Sequence, residues 1–317
     1  MKVGLMLPMG HNDALGRPLS WPELRDMAVA ADDGELDSVW GADHLVFRED
    51  GQTYGIHECW TLLTAVAAVT RRVQIGPLVL ALPFRNPALT AKMAAALDTV
   101  SDGRLVLGVG CGWHQPEFDA FDYPFDHRVG RFEEALQILA PLLRDGHVTF
   151  EGRWHRADAE LLPRGPRPAG PPILIAGKQP RMMGLVARYA DQWNAAWYGI
   201  PAEATELAER IARQRAACEA EGRDPATLTL TAGIFVVFPH LLVGGDGEEP
   251  PESAIRGDIE LVAEALAGYE MHGVEHVIAH VWPRTPAAVS ALAEAAEQAR
   301  RRVGPLTHSP AAHPARG

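Results

Sequence analysis

The sequence has few cysteines and no long apolar run. Cys59, Cys111 and Cys218 are the only cysteines among 317 residues, and they lie far apart. This odd, scattered set argues against a disulfide framework or a cysteine-type zinc site, and it is typical of a protein in a reducing cytoplasm. No stretch reaches the roughly 18 apolar residues that a membrane span needs. We therefore expect a soluble, cytoplasmic protein without a membrane partner.

Positive charge is also scarce. The chain has 29 Lys and Arg residues against 41 Asp and Glu, a formal net charge of −12, and three lysines. Because no basic run offers a surface for a phosphate backbone, we exclude nucleic acid as a partner.

Residues 1–10 are broken by Gly and Pro and alternate as a strand does, so we expect no signal peptide there. With 47% apolar residues, the chain can bury a large core, which excludes disorder over its whole length.

Short apolar runs alternate with amphipathic patterns along the chain, which predicts βαβ units and a parallel sheet. The predicted strands are residues 2–8, 37–40, 73–80, 104–110, 173–176, 191–194, 228–238 and 276–282. The predicted helices are residues 21–34, 59–70, 88–100, 131–143, 181–189, 202–221, 255–272 and 286–303. A capping box of Ser20 and Glu23 opens the first helix. Eight repeats predict a (β/α)8 TIM barrel.

The predicted barrel is a single domain of residues 1–303 with loop insertions at its carboxyl-terminal face. The insertions include a β-ribbon, formed by residues 148–150 and 154–155, and an excursion of Gly, Pro and acidic residues at 239–252. Residues 304–317 are predicted to be a disordered tail.

In such barrels, functional residues lie at the carboxyl ends of the strands and in the loops that follow. Asp43 and His44 follow the second predicted strand. A histidine next to an aspartate can orient a ligand and act as a general acid or base near neutral pH. Alternatively, His44 caps a loop and Asp43 is solvated. The residues alone leave both interpretations open.

Two strand-end turns have the composition of anion-binding loops. Gly108, Gly110 and Gly112 lack the spacing of a dinucleotide fingerprint, because Trp113 stands where the third glycine is required, so we do not expect a Rossmann site. These glycines either allow a ligand to approach the backbone or pack strands tightly. Lys178, between a strand and a helix start, either docks a phosphate or carboxylate or lies in a solvated loop.

Two other candidates have a simpler explanation than chemistry. His276 and His280 share one face of the eighth strand, but a metal pair would need further ligands, so we interpret them as core or rim residues and expect no metal. Nothing near Cys111 in the sequence would activate a thiolate, so we interpret it as a small packing residue.

Taken in order, the motifs resemble the luciferase-like monooxygenase superfamily, which contains bacterial luciferase and its deazaflavin-dependent relatives. The resemblance extends from Met1 to about Val303. The segments that carry it are residues 3–8, 38–45, 72–76, 84–87, 101–110, 112–118, 131–136, 172–177 and 187–194. Asp43 and His44, followed by the glycine-rich turn with Glu117 and Phe118, are similar to the branch that uses 8-hydroxy-5-deazaflavin, coenzyme F420.

This resemblance implies that a cofactor lies across the barrel mouth. It implies a cis peptide bond at Leu78–Val79, or one residue to either side, against the cofactor ring. Asp43 would contact the cofactor, and His44 would be the proton donor. The backbone contacts to the ribityl-phosphate portion would come from Cys111, Gly112, Ala176, Gly177, Gln179 and Pro180.

The sequence departs from the sugar-phosphate dehydrogenases of the superfamily at one position. Where those members have a glutamate, this chain has Trp113, and the nearest acid is Glu117. The resemblance therefore implies hydride transfer from reduced F420 to a carbonyl or activated double bond of an unidentified small molecule. The predicted walls of the substrate slot are Trp40, Trp113, His114, Trp197 and Tyr198.

The resemblance leaves two alternatives to this activity. With reduced FMN as the cofactor, the same pocket would support a monooxygenase. A non-catalytic flavin-binding protein is the other alternative. A homodimer is also implied, since dimers are common in the superfamily.

Overall fold

Eight consecutive parallel strands close into a barrel, which confirms the predicted architecture. The computed structural model describes residues 1–13, 15–49, 51–200, 205–242 and 250–303. The barrel strands are β1 (Lys2–Met6), β2 (Ser38–Gly41), β3 (Gln74–Pro77, continued by Leu80–Ala81), β4 (Leu107–Gly110), β5 (Ile173–Ala176), β6 (Gln192–Tyr198), β7 (Thr229–Val237) and β8 (His276–Trp282). Each strand pairs with the next, and β8 pairs with β1. All eight carboxyl ends therefore meet at one mouth.

Helices surround the barrel. They are α1 (Trp21–Asp33), α2 (Cys59–Val69), α3 (Pro87–Val100), α4 (Gln115–Ala120), α5 (Arg128–Arg144), α6 (Pro180–Tyr189), α7 (Thr205–Ala220), α8 (Ile259–Met271) and α9 (Pro286–Val303). The eight predicted helices are present, with bounds that differ by up to four residues, and α4 was not predicted. In the described part of the chain, no helix has the length and apolarity to cross a membrane.

Shorter elements decorate the barrel mouth and rim. They are the hairpins His11–Asn12 with Arg17–Pro18 and Phe47–Glu49 with Gln52–Tyr54, the strand Ile255–Arg256 beside β7, and the 3-10 turns Leu82–Phe84, Pro225–Thr227 and Pro239–Leu241. The predicted ribbon is formed by His147–Glu151 and Arg156–Glu160. The expected strand at residues 154–155 was placed too early, because these residues form the ribbon's turn.

Some predicted features lie outside the described residues. They are residues 202–204, the start of the predicted helix 202–221; residues 243–249, the central part of the excursion; and the tail at 304–317. The single-domain boundary at residue 303 therefore stays a prediction.

Side-chain caps explain several helix starts. The Glu23 carboxylate accepts hydrogen bonds from the backbone N–H and the hydroxyl of Ser20, both at 2.6 Å. Asn86 accepts the N–H groups of Ala88 and Leu89 at the start of α3. Such caps satisfy N–H groups that have no partner within the helix, so these loop-to-helix junctions follow from local sequence.

The barrel interior is filled by a separate apolar cluster. Its buried members are Met6, Trp40, Val106, Leu174 and Ile278, with Ala42, Leu78 and Val79 packed against them. Trp40 is fully buried and donates its indole N–H to Ser38 Oγ at 2.7 Å. The predicted place of Trp40 in the substrate slot is therefore wrong, since its side chain is part of the core beneath the barrel mouth.

His276 is also a core residue. Its Nε2 lies 2.7 Å from Ser38 Oγ, and its ring meets Trp40 edge to face. Burial lowers the pKa of His276 to about 3, with the charge of Lys2 as a second cause, so the imidazole is neutral. The interpretation of His276 as a core histidine agrees with this position.

Gly108 allows β3 and β4 to pack closely. A Cβ at this residue would lie 2.0 Å from the carbonyl oxygen of Pro77, which is a backbone atom and cannot move aside cheaply. Of the two explanations for the glycine-rich turn, tight strand packing is therefore the one that applies at Gly108.

The substitution Gly108→Ala is expected to lower the free energy of unfolding by about 1–3 kcal/mol, as overpacking does in other cores. Gly184→Ala, inside α6, is the matched control, because its Cβ would have only one neighbour, the Glu221 Oε1 at 3.6 Å. It should stabilise the chain by up to about 1 kcal/mol through helix propensity. Urea unfolding followed by circular dichroism measures both. Equal stability of the two variants would contradict the packing argument.

Candidate functional site

A cavity of about 830 Å³ opens at the carboxyl ends of the barrel strands. Eleven predicted site residues line it: Asp43, His44, Leu78, Val79, Cys111, Gly112, Trp113, Ala176, Gly177, Lys178 and Trp197. The peptide bond between Leu78 and Val79 is cis, at the place that the resemblance implies. These residues come from five different strand ends, and the barrel closure brings them to one site.

Asp43 is held in a buried ion pair. Its side chain has no exposed surface, and the Arg85 guanidinium donates to both of its oxygens, at 2.7 and 2.9 Å. The Ala81 N–H also donates to Oδ2 at 2.9 Å. Burial alone would lower the pKa of Arg85, but the hydrogen bond and charge of Asp43 raise it. The predicted catalytic role of Asp43 does not fit this geometry, since its carboxylate is already occupied and ties the end of β2 to the end of β3.

The partner of His44 is Glu117 and not the adjacent Asp43. Nδ1 of His44 lies 3.0 Å from Glu117 Oε1, and the N–H of Leu45 donates to Oε2 at 2.9 Å. Since an ionised carboxylate only accepts, Nδ1 carries the proton of this bond. Nε2 then has no hydrogen-bond partner within the described ranges. The arrangement sets the tautomer of His44 and leaves the second ring nitrogen for a ligand.

Helix α4 places Glu117 beside His44. The preceding Gly112 has a φ of +71°, which favours glycine, and the turn directs the chain back over the barrel mouth. Phe118 is fully buried and packs against Phe84 and Phe125 with ring centroids 4.8 and 5.1 Å apart. Because Phe118 fixes the helix, the neighbouring Glu117 side chain is directed at His44.

Trp113 covers His44 at the cavity entrance. Trp113 is 64% exposed, and its ring centroid lies 5.6 Å from that of His44 and 6.2 Å from that of Phe47. A tryptophan here shields the His44–Glu117 pair from solvent while its outer face remains in water.

In the part of the chain that the structure describes, four further predicted residues do not line the cavity. Tyr198 is buried and hydrogen-bonds Ala195 and Arg210, so it faces the helix layer. The Nε2 of His114 accepts the Arg48 N–H at 3.1 Å, which makes it a support for the hairpin at residues 47–54. Gln179 and Pro180 lie beyond the wall at the start of α6. The slot assignments of Tyr198 and His114 are therefore wrong, and neither Gln179 nor Pro180 contributes to the cavity wall.

Lys178 and Cys111 both line the cavity, where Lys178 carries a charged ammonium group and Cys111 a neutral thiol. Lys178 lines the cavity and forms no ion pair with any residue that the structure describes, but its charge, after that of Arg210, helps to lower the pKa of the Glu206 carboxyl. Burial raises the pKa of the Cys111 thiol, and nearby Arg128 opposes this only in part. Cys111 is thus an unreactive wall residue. No group of three or more His, Cys, Asp or Glu able to hold a metal occurs in the described ranges.

Phe235 and His280 are among the wall residues that the sequence did not assign to the site. Phe235 on β7 and His280 on β8 face each other in register and line the cavity next to Trp197. His280 was interpreted as a core or rim residue, and only its even spacing from His276 drew attention to it. Arg85 lies in the segment 84–87 that carries the resemblance, but the sequence assigns it no role, because its partner Asp43 is 42 residues away.

Comparison with known proteins shows which family the chain belongs to. The sequence profile of the luciferase-like monooxygenase family matches residues 1–240. The chain belongs to this family. A phthiodiolone/phenolphthiodiolone dimycocerosates ketoreductase of Mycobacterium tuberculosis is 31% identical over 297 residues, which cover 85% of this chain and 75% of that protein.

Two further proteins are similar to this chain. An F420-dependent glucose-6-phosphate dehydrogenase of Amycolatopsis mediterranei is 37% identical over 193 residues, 58% of this chain and only about half, 55%, of that protein. The structure of an F420-dependent secondary alcohol dehydrogenase in complex with an F420-acetone adduct superposes with a TM-score of 0.77. It covers 94% of this chain and 99% of that one at 18% identity, so it shows a shared fold.

The substitution Arg85→Met is expected to destabilise the chain by about 3–5 kcal/mol, because it leaves the buried Asp43 carboxylate without its counter-charge. The double variant Asp43→Asn with Arg85→Met should recover part of this loss. Arg181→Met is the control, since the Arg181–Glu133 pair is exposed and worth about 1 kcal/mol or less. Urea unfolding measures all three. A loss no greater for Arg85→Met than for Arg181→Met would refute the structural role of the pair.

Proposed function

We propose that this chain is an oxidoreductase that transfers a hydride between coenzyme F420 and a small organic substrate with a carbonyl or an activated double bond. The observation that carries the proposal is the His44–Glu117 pair, at 3.0 Å, on the edge of a largely apolar cavity. The names of its relatives, a ketoreductase and F420-dependent dehydrogenases, support it.

The residues of the cavity fit a deazaflavin. Leu78, Val79 and Ala176 offer an apolar surface for a planar ring, and Lys178 offers a cation for a phosphate. The volume of about 830 Å³ lies in the usual range for organic cofactor sites. When bound, F420 supplies a hydride from its ring carbon, and the protein's task is to orient and protonate.

His44 is suited to deliver the proton that accompanies the hydride. Glu117 holds Nδ1–H, so a protonated imidazole has one further N–H, at Nε2, to donate to the substrate. After that donation the ring keeps its bond to Glu117 and stays in place. Trp113 and Phe47, which pack around the His44 ring, limit the access of water to it. Glu117 thus acts as a positioning residue, and His44 is the proposed general acid.

The homodimer and the cytoplasmic location also belong to this proposal. The dimer is supported by the family resemblance, and the location by the scattered, unpaired cysteines. Light scattering of the purified chain would measure its mass in solution.

When the purified protein is titrated into F420, it is expected to quench the deazaflavin fluorescence and to bind F420 with micromolar affinity. FMN is expected to bind about tenfold more weakly. Deazaflavin and FMN fluorescence measure the two affinities. Equal or tighter binding of FMN, together with oxygen uptake when reduced FMN is supplied, would reject the proposal in favour of a monooxygenase.

Within the same titration, Lys178→Met should weaken F420 binding by about fivefold, through loss of one charge-assisted contact. Lys92→Met is the matched control, because Lys92 lies on α3 away from the cavity and donates to the Leu162 carbonyl. If both variants bind F420 as the wild type does, Lys178 does not meet the phosphate.

The substitution His44→Ala is expected to slow ketone reduction by about 100-fold or more, in line with the loss of a general acid. Glu117→Gln should slow it less and leave F420 affinity within about twofold, since it keeps a hydrogen-bonding group beside Nδ1. The measurement is oxidation of reduced F420 with a panel of simple ketones and enones. Turnover by His44→Ala at the wild-type rate would show that another group supplies the proton.

A further inference from the structure

The wall opposite the His44–Glu117 pair is an aromatic surface with one polar group. The rings of Trp197 and Phe235 stack with centroids 5.1 Å apart. The imidazole of His280 meets Trp197 at 5.2 Å and Phe235 at 6.0 Å, and it packs on Trp282 at 5.7 Å. Three strand ends, of β6, β7 and β8, contribute these side chains, so the rigid barrel sets their geometry.

His280 differs from His276, although both lie on the same face of β8. Nε2 of His276 is paired with Ser38 Oγ in the core. His280 lines the cavity, and in the described part of the chain neither of its ring nitrogens takes part in a hydrogen bond. The His280 side chain is half-buried in the cavity wall, so its ring nitrogens are available to form a hydrogen bond with a ligand in the cavity.

The imidazole of His280 is neutral in this setting. Burial lowers its pKa to about 3, and the charge of Arg284 lowers it further. A neutral imidazole presents one N–H donor and one acceptor but no positive charge. It can therefore bind a carbonyl or hydroxyl oxygen, whereas it cannot offset the desolvation of a carboxylate or phosphate.

The cavity has two halves with different chemistry. His44, Leu78, Val79 and Lys178 come from β2, β3 and β5, and this half holds the proposed cofactor contacts. The other half, from β6, β7, β8 and β1, presents the aromatic surface, His280 and the loop after Met6. A substrate that shares the cavity with the cofactor and receives a proton from His44 therefore extends from His44 into the second half.

We propose that His280 is a specificity-determining residue, whose imidazole N–H binds an oxygen of an uncharged aromatic or apolar carbonyl substrate lying against Trp197 and Phe235. This inference rests on the proposed function, because it assumes that a substrate occupies the half of the cavity not taken by F420. The nearby guanidinium of Arg284 is engaged elsewhere: Nη1 donates to the His11 carbonyl at 3.0 Å, and Cζ lies 5.7 Å from the Trp282 ring centroid.

Acetophenone and benzoate are two probes of matched shape that test the inference. Acetophenone carries a neutral ketone, whereas benzoate carries a charged carboxylate. Their affinities are measured by saturation-transfer difference NMR, on the protein alone and with F420 added. In the wild type, benzoate is expected to bind about tenfold more weakly than acetophenone or not at all. His280→Phe, which keeps an aromatic ring but loses the N–H, should weaken acetophenone binding about fivefold.

Two variants serve as controls. His280→Gln restores an N–H donor and should retain more acetophenone affinity than His280→Phe. His147→Phe makes the same chemical change on the exposed ribbon strand His147–Glu151 and should leave affinity unchanged. Circular dichroism and urea unfolding establish that each variant is folded.

Benzoate binding equal to or tighter than that of acetophenone would overturn the inference, and it would assign the recognition to Arg284. Unchanged acetophenone affinity in His280→Phe would overturn it as well. These outcomes are separate from a failure of the proposed function. If F420 does not bind, the probe affinities of the protein alone still report on His280, and if only the probes fail, the F420 titration stands.

Discussion

The buried ion pair between Asp43 and Arg85 is the interaction on which the geometry of the site depends. Asp43 has no exposed surface, and its two oxygens accept three hydrogen bonds, two from Arg85 and one from Ala81. Since Ala81 lies in the second part of β3, the pair joins the end of β2 to the strand that carries Leu78 and Val79. Arg85 also donates to Glu58, which caps α2. One charged pair thus couples two strand ends and a helix start.

His44 follows Asp43 directly, so its backbone position is set by that pair. Its imidazole then meets Glu117, which α4 brings in from the end of β4, 73 residues later. The two carboxylates have separate tasks as a result. Asp43 holds the backbone in place, whereas Glu117 orients the imidazole. Each carboxylate is buried, and each has a positively charged or N–H partner, as burial of an ionised group requires.

The cavity combines a polar, charge-bearing side with an aromatic one. Lys178 and His44 stand on the side of β2 to β5, and Trp197, Phe235 and His280 on the side of β6 to β8. The packed barrel interior holds both sides of the cavity in place, because Trp40 and its neighbours fill the space beneath the mouth. Oriented hydride transfer needs such fixed walls, since small displacements of the reacting groups cost rate.

The fold and half of the site could be predicted from local patterns. The period of apolar residues identified all eight strands and eight helices, and the strand-end rule selected His44, Lys178 and Trp197, because both depend on neighbouring residues in the chain. Tyr198 shows the limit of the rule. It stands one residue after Trp197, yet successive side chains of a strand point to opposite sides, and only Trp197 reaches the cavity. The choice between them required the register of β6.

The sequence by itself determined the barrel, its family, the place of the mouth and the residue types around it. Only the tertiary structure decided the partners: Arg85 for Asp43, Glu117 for His44, and a cavity position for His280 against a core position for His276. The physical reason is that hydrogen bonds and burial between residues 40 to 240 positions apart depend on how strands close on one another. Local propensity and periodicity carry no information about those distances.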